Sequence, residues 1–389
     1  MDVGGPAFDM DRWLARTKIV VCVGAGGVGK TTTAATIGLW GALRGRRVMV
    51  LTIDPAKRLA NSLGLKEFGN EETRIDLASL GLENTGELWA MMLDSRSTFD
   101  GLIARIAPDA AARDRILGNH VYRHMADTFA GSQDYMATEK LHDLVTGERY
   151  DLVVLDTPPV KNALDFLEAP GRLINFLDER VLKWFVAPPD ASMVLGRRLM
   201  LGTSAVVYRL MSYVFGKDFL DDLQSFFEDF QGLYQGFVER HQRVLELFRA
   251  PTTSFVTVCA PTESALDVAT FFQQELARRE LPRGGLVVNQ VHACEGDGHD
   301  ARQVIGAVAE PLARDLPPAV LPAMLARLGM AHRRLHALRV AEETLTGRVR
   351  DAARGGGFYQ EIPRLDGNVH DLPALAEVGR RLFLPAATL

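Results

Sequence analysis

The chain has 389 residues, of which 47% are hydrophobic and 24% are charged, and its formal net charge is −5. This is an ordinary globular composition, long enough for one large α/β domain with a sizeable insertion or for two domains. An acidic balance without a dense run of Lys and Arg argues against a nucleic-acid-binding protein, and no uncharged apolar run reaches the ~20 residues of a membrane-spanning helix.

A glycine-rich loop follows the first predicted strand. The N-terminus, 1–13, is short, polar and acidic, which is unlike a signal peptide. The apolar run 19–23 predicts a buried strand and the Ala- and Leu-rich stretch 32–43 a helix, with the sequence GAGGVGKT at 24–31 between them. Strand, glycine loop and helix form the context that the pattern G-x-x-x-x-G-K-[ST] requires. The pattern therefore predicts a P-loop that binds a nucleoside triphosphate.

The chemistry of such a loop assigns roles to its residues. Successive backbone N–H groups face one point, and the positive N-terminal end of the following helix adds to this anion site. Lys30 is expected to reach the β- and γ-phosphates, and the Thr31 hydroxyl to ligate Mg²⁺. Thr32 is expected at an α-phosphate oxygen, with a capping hydroxyl as the alternative. The predicted phosphate-binding residues are Gly26, Gly27, Val28, Gly29, Lys30, Thr31 and Thr32.

The second predicted strand, 48–53, ends at Asp54, followed by Pro55 and Ala56. A carboxylate there lies on the edge where α/β sheets bind ligands. The segment 19–65 resembles the arsenite-efflux ATPase family (ArsA), which also includes the ATPases that target tail-anchored membrane proteins and belongs to the MinD/ParA group. The resemblance implies that Asp54 orients the attacking water, and an anionic acceptor beside an in-line water suits this role. The alternative is an aspartate that caps the following turn.

A second acidic strand end comes later in the chain. After a predicted strand at 88–93 and helical pattern over 97–146, the apolar run 150–155 predicts a buried strand that ends at Asp156. Apolar residues followed by Asp are typical of a Walker B strand, with Asp156 near Mg²⁺ through a water. In the family this segment begins switch II, written D-T-A-P or D-T-P-P, and the latter stands here. The alternative is a turn aspartate at a strand end.

Between 180 and 250 the pattern is helical and strongly apolar. Apolar residues at three- or four-residue spacing from Phe219 to Phe248 predict one helix about 45 Å long. The resemblance to the targeting ATPases implies a groove for hydrophobic client helices, whereas stripes this wide also form a subdomain's own core or a subunit contact. The candidate groove residues are Met193, Met200, Met211, Phe226, Phe227 and Tyr234.

The C-terminal part carries the expected base site. After a strand at 252–259 and a helix at 263–279, a strand at 286–290 contains Val-Asn-Gln, and the resemblance implies that Asn289 reads adenine. An amide that donates and accepts suits that edge of the base, and a turn residue is the alternative. After a last strand at 358–362, Pro363 and Leu365 resemble the loop that closes over adenine.

The sequence gives little indication of a structural metal site or of reactive cysteines. Cys22 and Cys259 fall in predicted strands and are most simply small core residues. The absence of C-x-x-C argues against structural zinc and predicts a reduced, cytoplasmic protein. One loop gathers potential ligands, but at no zinc spacing, and its glycines favour plain mobility. Its candidates are His292, Cys294, Glu295, Asp297 and His299.

The chain departs from the family at position 25. The family's loop reads G-K-G-G-x-G-K-[ST], and its first lysine reaches the partner's nucleotide across a dimer interface, whereas this chain has Ala25. A cation acting in trans is worth ~10³–10⁵ in rate. We therefore expect weak, assembly-dependent turnover by the isolated chain. The alternatives are compensation by Lys161 or Arg58, or pairing with a different subunit that carries the lysine.

These observations predict a doubly wound, mostly parallel α/β sheet of the P-loop NTPase type with an inserted α-helical subdomain. The nucleotide-binding domain is expected to comprise 1–94, 148–179 and 251–389, and the helical parts 95–147 and 180–250.

The predicted function is Mg²⁺-dependent ATP hydrolysis coupled to the apolar helical subdomain. The expected partners are ATP and ADP, a second copy or a related ATPase subunit in a dimer, and a hydrophobic client or membrane-protein partner, without nucleic acid. One alternative is a nucleotide-gated binding module with little intrinsic hydrolysis. Another is a partition or positioning ATPase, against which the lack of a basic patch and of a basic amphipathic C-terminal helix argues.

Overall fold

The structure is a computed structural model, and the residues that it describes fall into two compact units. Unit 1 comprises Met1–Met91, Glu148–Ala163 and Arg249–Leu389, and unit 2 comprises Met92–Gly147 and Leu164–Phe248. The described residues are 8–53, 58–65, 69–81, 85–120, 122–123, 133–158, 222, 225–226, 228–229, 232–293, 306, 309, 311, 314, 317, 319–353, 357–365, 367 and 369–384.

The described strands form one mostly parallel sheet, as the sequence predicts. They are β1 (Ile19–Val23), β2 (Arg47–Thr52), β3 (Thr73–Ile75), β4 (Glu87–Met92), β5 (Leu152–Asp156), β6 (Thr253–Cys259), β7 (Arg283–Val291) and β8 (Phe358–Pro363). Their order is β3-β4-β2-β5-β1-β6-β7-β8. β1 pairs in parallel with β5 and β6, as β2 does with β5, β6 with β7 and β7 with β8, whereas β3 and β4 are antiparallel.

Burial explains why the central strands are apolar runs. Every residue of β1, β5 and β6 is buried, as expected for parallel strands covered on both faces. β1 lies between β5 and β6. The strands β2 to β5 therefore lie on one side of β1, and β6 to β8 lie on the other. Ligands bind at the carboxyl ends of strands at such a switch point. A ligand site is therefore expected at the residues that follow β1.

The helices flank this sheet or build unit 2. α2 packs closely on the sheet because two of its positions are glycine: a Cβ at Gly38 would lie 2.4 Å from Val50. Its Trp40 stacks on Phe383 with ring centroids 5.1 Å apart. The helices are α1 (Met10–Arg16), α2 (Lys30–Leu43), α3 (Arg58–Ser62), α4 (Ser95–Ile106), α5 (Ala110–Gly118), α6 (Gln133–Thr146), α7 (Tyr234–Arg249), α8 (Glu263–Arg278), α9 (Leu321–Ala353) and α10 (Leu372–Phe383).

Three elements, α1, α3 and β3, lie where the sequence predicts none. α1 is only seven residues long, too short for a periodic signal, and its start is fixed by the Asp9 side chain, which accepts the Arg12 N–H at 2.8 Å. It buries Met10 and Leu14 in the core of unit 1. No helix in the described part of the chain is both long and apolar enough to span a bilayer.

The apolar stripe expected as one helix from 219 to 248 is interrupted. Gly232 and Leu233 form a turn, and α7 begins only at Tyr234. Glycine costs about 1 kcal/mol in a helix interior, while the apolar spacing continues because both sides of the turn face the same core. The prediction of a single long helix is therefore wrong.

The described members of that stripe belong to the core of unit 2. Phe226, Leu233 and Phe237 are at most 1% exposed and pack with α4, α5 and α6 side chains such as Phe99. Tyr234 is half-buried against the same cluster. Burial favours the packing alternative for Phe226. The other groove candidates, Met193, Met200, Met211 and Phe227, lie outside the described residues.

Candidate nucleotide site

The loop between β1 and α2 is shaped by its glycines. Gly24, Gly27 and Gly29 have φ angles of +153°, +77° and +96°, a region that L side chains rarely adopt. A Cβ at Gly24 would lie 2.0 Å from the Val258 carbonyl oxygen, so only glycine lets the loop approach β6. Gly29 is the N-cap of α2, which places the positive end of that helix at the loop.

Lys30 is the first residue of α2 and is 6% exposed. Its ammonium Nζ donates a hydrogen bond to the Ala25 carbonyl oxygen at 2.8 Å. The amine of the P-loop lysine thus lies against its own loop, beside the exposed glycines Gly26 and Gly27.

Asp156 of β5 connects Thr31, at the start of α2, to Thr52 of β2. It ends β5 with 1% exposure. Its Oδ2 accepts the Thr31 hydroxyl at 2.8 Å and the Thr52 hydroxyl at 2.9 Å. The parallel register sets Thr52 of β2 opposite Asp156. The structure therefore brings Thr31 and Asp156 together, and it adds Thr52, to which the sequence assigns no role.

Cys22 lies in β1 opposite Asp156. Burial, and then the negative charge of Asp156, raise the pKa of the Cys22 thiol well above its usual value, against the effect of Lys30. Burial alone raises the pKa of Cys259 to about 12. Both thiols stay protonated at neutral pH and act as small core residues.

The end of β7 reaches the P-loop through two side-chain amides. Asn289 Nδ2 donates to the Val28 carbonyl oxygen at 2.9 Å, and Gln290 Nε2 lies 3.4 Å from the Gly27 carbonyl oxygen. In the sequence, Asn289 is expected to contact the base and not the loop, and Gln290 is given no role. The structure thus brings Asn289 to the loop itself.

The remaining predicted residues either lie at the carboxyl edge of the sheet or lie outside the described residues. Pro363 ends β8 opposite Val291 of β7, and the next residue's N–H donates to the Val291 carbonyl oxygen at 2.8 Å. Leu365 is half-buried against the core of unit 1. Arg58 is exposed at the start of α3. Asp54 and Lys161 lie outside the described residues.

The donor set at the loop suits a hard cation. The Thr31 hydroxyl and the Asp156 carboxylate are oxygen ligands of the kind that Mg²⁺ prefers. Elsewhere in the described ranges, no three His, Cys, Asp or Glu side chains are grouped to hold a metal. His292, a candidate ligand in the sequence, instead has Nδ1 2.5 Å from Glu342 Oε1. The rest of its loop, 294–300, is outside the description.

Comparison with known proteins identifies the family of this chain. The family model for anion-transporting ATPases, ArsA_ATPase, matches residues 17–303. The chain is 26% identical over 272 residues to the ATPase get3 of Aspergillus terreus, covering 69% of this chain and 71% of that protein. It is 27% identical over 270 residues to the ATPase GET3 of Podospora anserina, with the same coverage of 69% and 71%. Because the family match runs from before the P-loop to beyond Asn289 and spans well over half of the sequence, this chain belongs to the anion-transporting ATPase family, whose members are P-loop ATPases.

Proposed function

We propose that the chain is a Mg²⁺-dependent ATPase in which Gly26 to Thr32 hold the triphosphate and the state of the site is passed to unit 2. The observation that carries this proposal is the buried Asp156 carboxylate at the end of β5, hydrogen-bonded to the Thr31 hydroxyl of the P-loop at 2.8 Å. A carboxylate and a loop hydroxyl at that distance are the pair that P-loop ATPases place at their metal.

Phosphate binding follows from the loop and from Lys30. The N-terminal end of α2, at Gly29 and Lys30, places the positive end of the helix dipole at the loop, which favours an anion there. The Lys30 ammonium donates to the neutral Ala25 carbonyl oxygen at 2.8 Å, and a phosphate oxygen is a stronger acceptor for it because it carries a negative charge of its own. A triphosphate therefore competes favourably for this amine.

Thr31 and Asp156 would hold the Mg²⁺, which when bound neutralises charge on the β- and γ-phosphates. Thr52 supports this pair through Asp156. Its hydroxyl donates to the same Asp156 oxygen at 2.9 Å and fixes the orientation of the carboxylate. On the strength of the family resemblance, Asp54 orients the attacking water, Asn289 contacts the base, and Pro363 and Leu365 close over it.

Coupling to unit 2 uses the chain that follows Asp156. The middle segment of unit 1 ends at Ala163, seven positions beyond Asp156 (163 − 156), and the second segment of unit 2 begins at Leu164. A movement at the end of β5 when phosphate is released can therefore be transmitted to unit 2 through a short stretch of chain. Because Phe226 and Phe237 are core residues, contacts with a hydrophobic client or a partner subunit are assigned to the rest of 180–250, including Met193, Met200 and Met211.

Calorimetric titration of the full chain with ATP and Mg²⁺ tests the first part of the proposal. Lys30→Ala should abolish measurable binding. Lys18→Ala is the matched control, since Lys18 is exposed just before β1 and should leave binding unchanged. Equal affinity for Lys30→Ala and the wild type would refute the assignment of the loop.

Steady-state turnover, measured with and without an apolar helical peptide, tests the coupling. Stimulation by the peptide supports an ATPase coupled to a client. ATP-dependent peptide binding with negligible turnover would favour a gated binding module instead, and indifference to the peptide would remove the client from the proposal.

A further inference from the structure

We propose that Asn289 and Gln290 form a latch that holds the P-loop in its phosphate-binding conformation, so that Asn289 is a positioning residue for the loop. The inference rests on the proposed function, because it assigns the residues that prepare the same anion site. Its direct evidence is the pair of amide contacts from β7, Asn289 Nδ2 to Val28 O at 2.9 Å and Gln290 Nε2 to Gly27 O at 3.4 Å.

The two acceptors belong to consecutive peptide groups. In a trans peptide the C=O and the following N–H point in opposite directions, and no cis peptide occurs in the described chain. Holding the Gly27 and Val28 carbonyl oxygens toward β7 therefore turns the N–H groups of Val28 and Gly29 away from β7. Backbone N–H groups fixed side by side in this way make the concave anion site of a P-loop.

The strand is distorted in the way that this contact requires. Consecutive residues of a regular strand point to opposite faces, so two adjacent side chains cannot both reach one loop. Here the β7–β8 register shifts between Asn289 and Val291, and Gln290 has φ +64°, which is rare for a residue other than glycine. A bulge of this kind re-aims a side chain, and such strain persists where a functional contact holds it in place.

The loop is built to receive the amide. A Cβ at Gly29 would lie 2.1 Å from Asn289 Nδ2. Gly29 is thus required by its φ of +96° and also by the space that the Asn289 side chain occupies. Loop and strand are fitted to each other at this point.

The latch and base recognition make different predictions about ligands without a base. If Asn289 prepares the loop, in addition to any contact with the base, its loss weakens binding of every polyphosphate, with or without a base. If it acts only by contacting adenine, its loss weakens ATP binding and leaves a base-free polyphosphate unaffected.

The test is calorimetric titration of the full chain, with Mg²⁺, against ATP and against inorganic tripolyphosphate. Asn289→Ala should weaken both ligands about tenfold, as expected for one good hydrogen bond. Gln290→Ala should weaken both by roughly two- to threefold because its contact is longer. Asn289→Leu keeps the bulk of the side chain without a donor and should match Asn289→Ala, which keeps the test valid if the smaller side chain disturbs folding. Gln274→Ala removes an exposed amide from α8 and should change neither affinity.

Each outcome decides between the readings. A loss for ATP alone overturns the latch in favour of base recognition, and unchanged affinities in all variants overturn it outright. A wild-type chain that binds ATP but not tripolyphosphate also overturns it, since the base would then carry the affinity. A wild-type chain that binds neither ligand refutes the proposed function, which is a distinguishable failure.

Discussion

Replacing Arg240 by methionine removes the cation from a buried ion pair in unit 2. Arg240 of α7 donates from Nε to Glu139 Oε2 of α6 at 2.6 Å and also pairs with Asp143. The two main partners are almost fully enclosed, with side-chain exposures of 11% for Arg240 and 0% for Glu139. Removing one partner of such a pair leaves a buried charge uncompensated and costs about 3–5 kcal/mol. For a unit of this size that loss lowers the unfolding midpoint by roughly 6–20 °C.

The loss should depend on pH with a definite sign. Burial raises the pKa of Glu139 above its usual 4.5, so the folded chain binds this proton more tightly than the unfolded chain does. The stability that this group contributes is complete below pH 4.5 and is lost as the pH rises through its folded pKa. Without Arg240 that pKa rises further. The cost of Arg240→Met should therefore be smaller near pH 4.5 than at pH 7.

Scanning calorimetry of the full chain at pH 4.5 and pH 7 measures this difference. Glu139→Gln combined with Arg240→Met should recover most of the loss, since the buried charge is then gone. Arg243→Met is the matched control on α7, because Arg243 lies 3.9 Å from Glu239 in a pair whose members are 60% and 51% exposed, and such pairs contribute little. A loss for Arg240→Met no larger than that of Arg243→Met, or one independent of pH, would refute the reasoning.

Three further outcomes are expected. Burial lowers the pKa of His142 to about 4 from 6.5, so its contribution to stability is complete above pH 6.5 and is lost as the pH falls to about 4; urea midpoints of His142→Gln should vary less over this range than those of the wild type. Gly29→Ala should weaken ATP binding at least a hundredfold in calorimetry, because its Cβ would lie 2.1 Å from Asn289 Nδ2 at a φ of +96°; binding within threefold of wild type would contradict the loop geometry. Thr52→Val should raise the Mg²⁺ concentration for half-maximal turnover about tenfold by freeing the Asp156 carboxylate, and an unchanged Mg²⁺ titration would show that Thr52 does not orient it.

The central strands of the sheet could be predicted from the sequence because they are buried on both faces. β1 coincides with the predicted run 19–23, and the other central strands start or end within two residues of their predicted positions. Apolar runs of this kind carry their own signal. The loop and Asp156 were equally accessible, since a strand followed by a glycine loop or by a single carboxylate is a local pattern.

The missing features depend on contacts between distant parts of the chain. The sequence shows Thr52 as an ordinary strand residue, and only the β2–β5 register sets it opposite Asp156. The sequence shows Gln290 beside Asn289 but not the left-handed backbone that turns both toward the P-loop. The turn at Gly232 is hidden for the opposite reason, because the apolar spacing continues across it. Local patterns predict elements, whereas tertiary register decides which side chains meet.

Position 25 shows how both levels combine at the site. The family's pattern puts a lysine there, and this chain supplies Ala25, whose carbonyl oxygen accepts the Lys30 amine at 2.8 Å. That contact needs only the backbone, so the loop keeps its own lysine anchored whatever side chain stands at 25. On the family resemblance, the alanine removes the second cation, which would act on a neighbouring nucleotide. The site can therefore be complete for binding while lacking a charge for hydrolysis, and weak turnover that rises with assembly is the expected consequence.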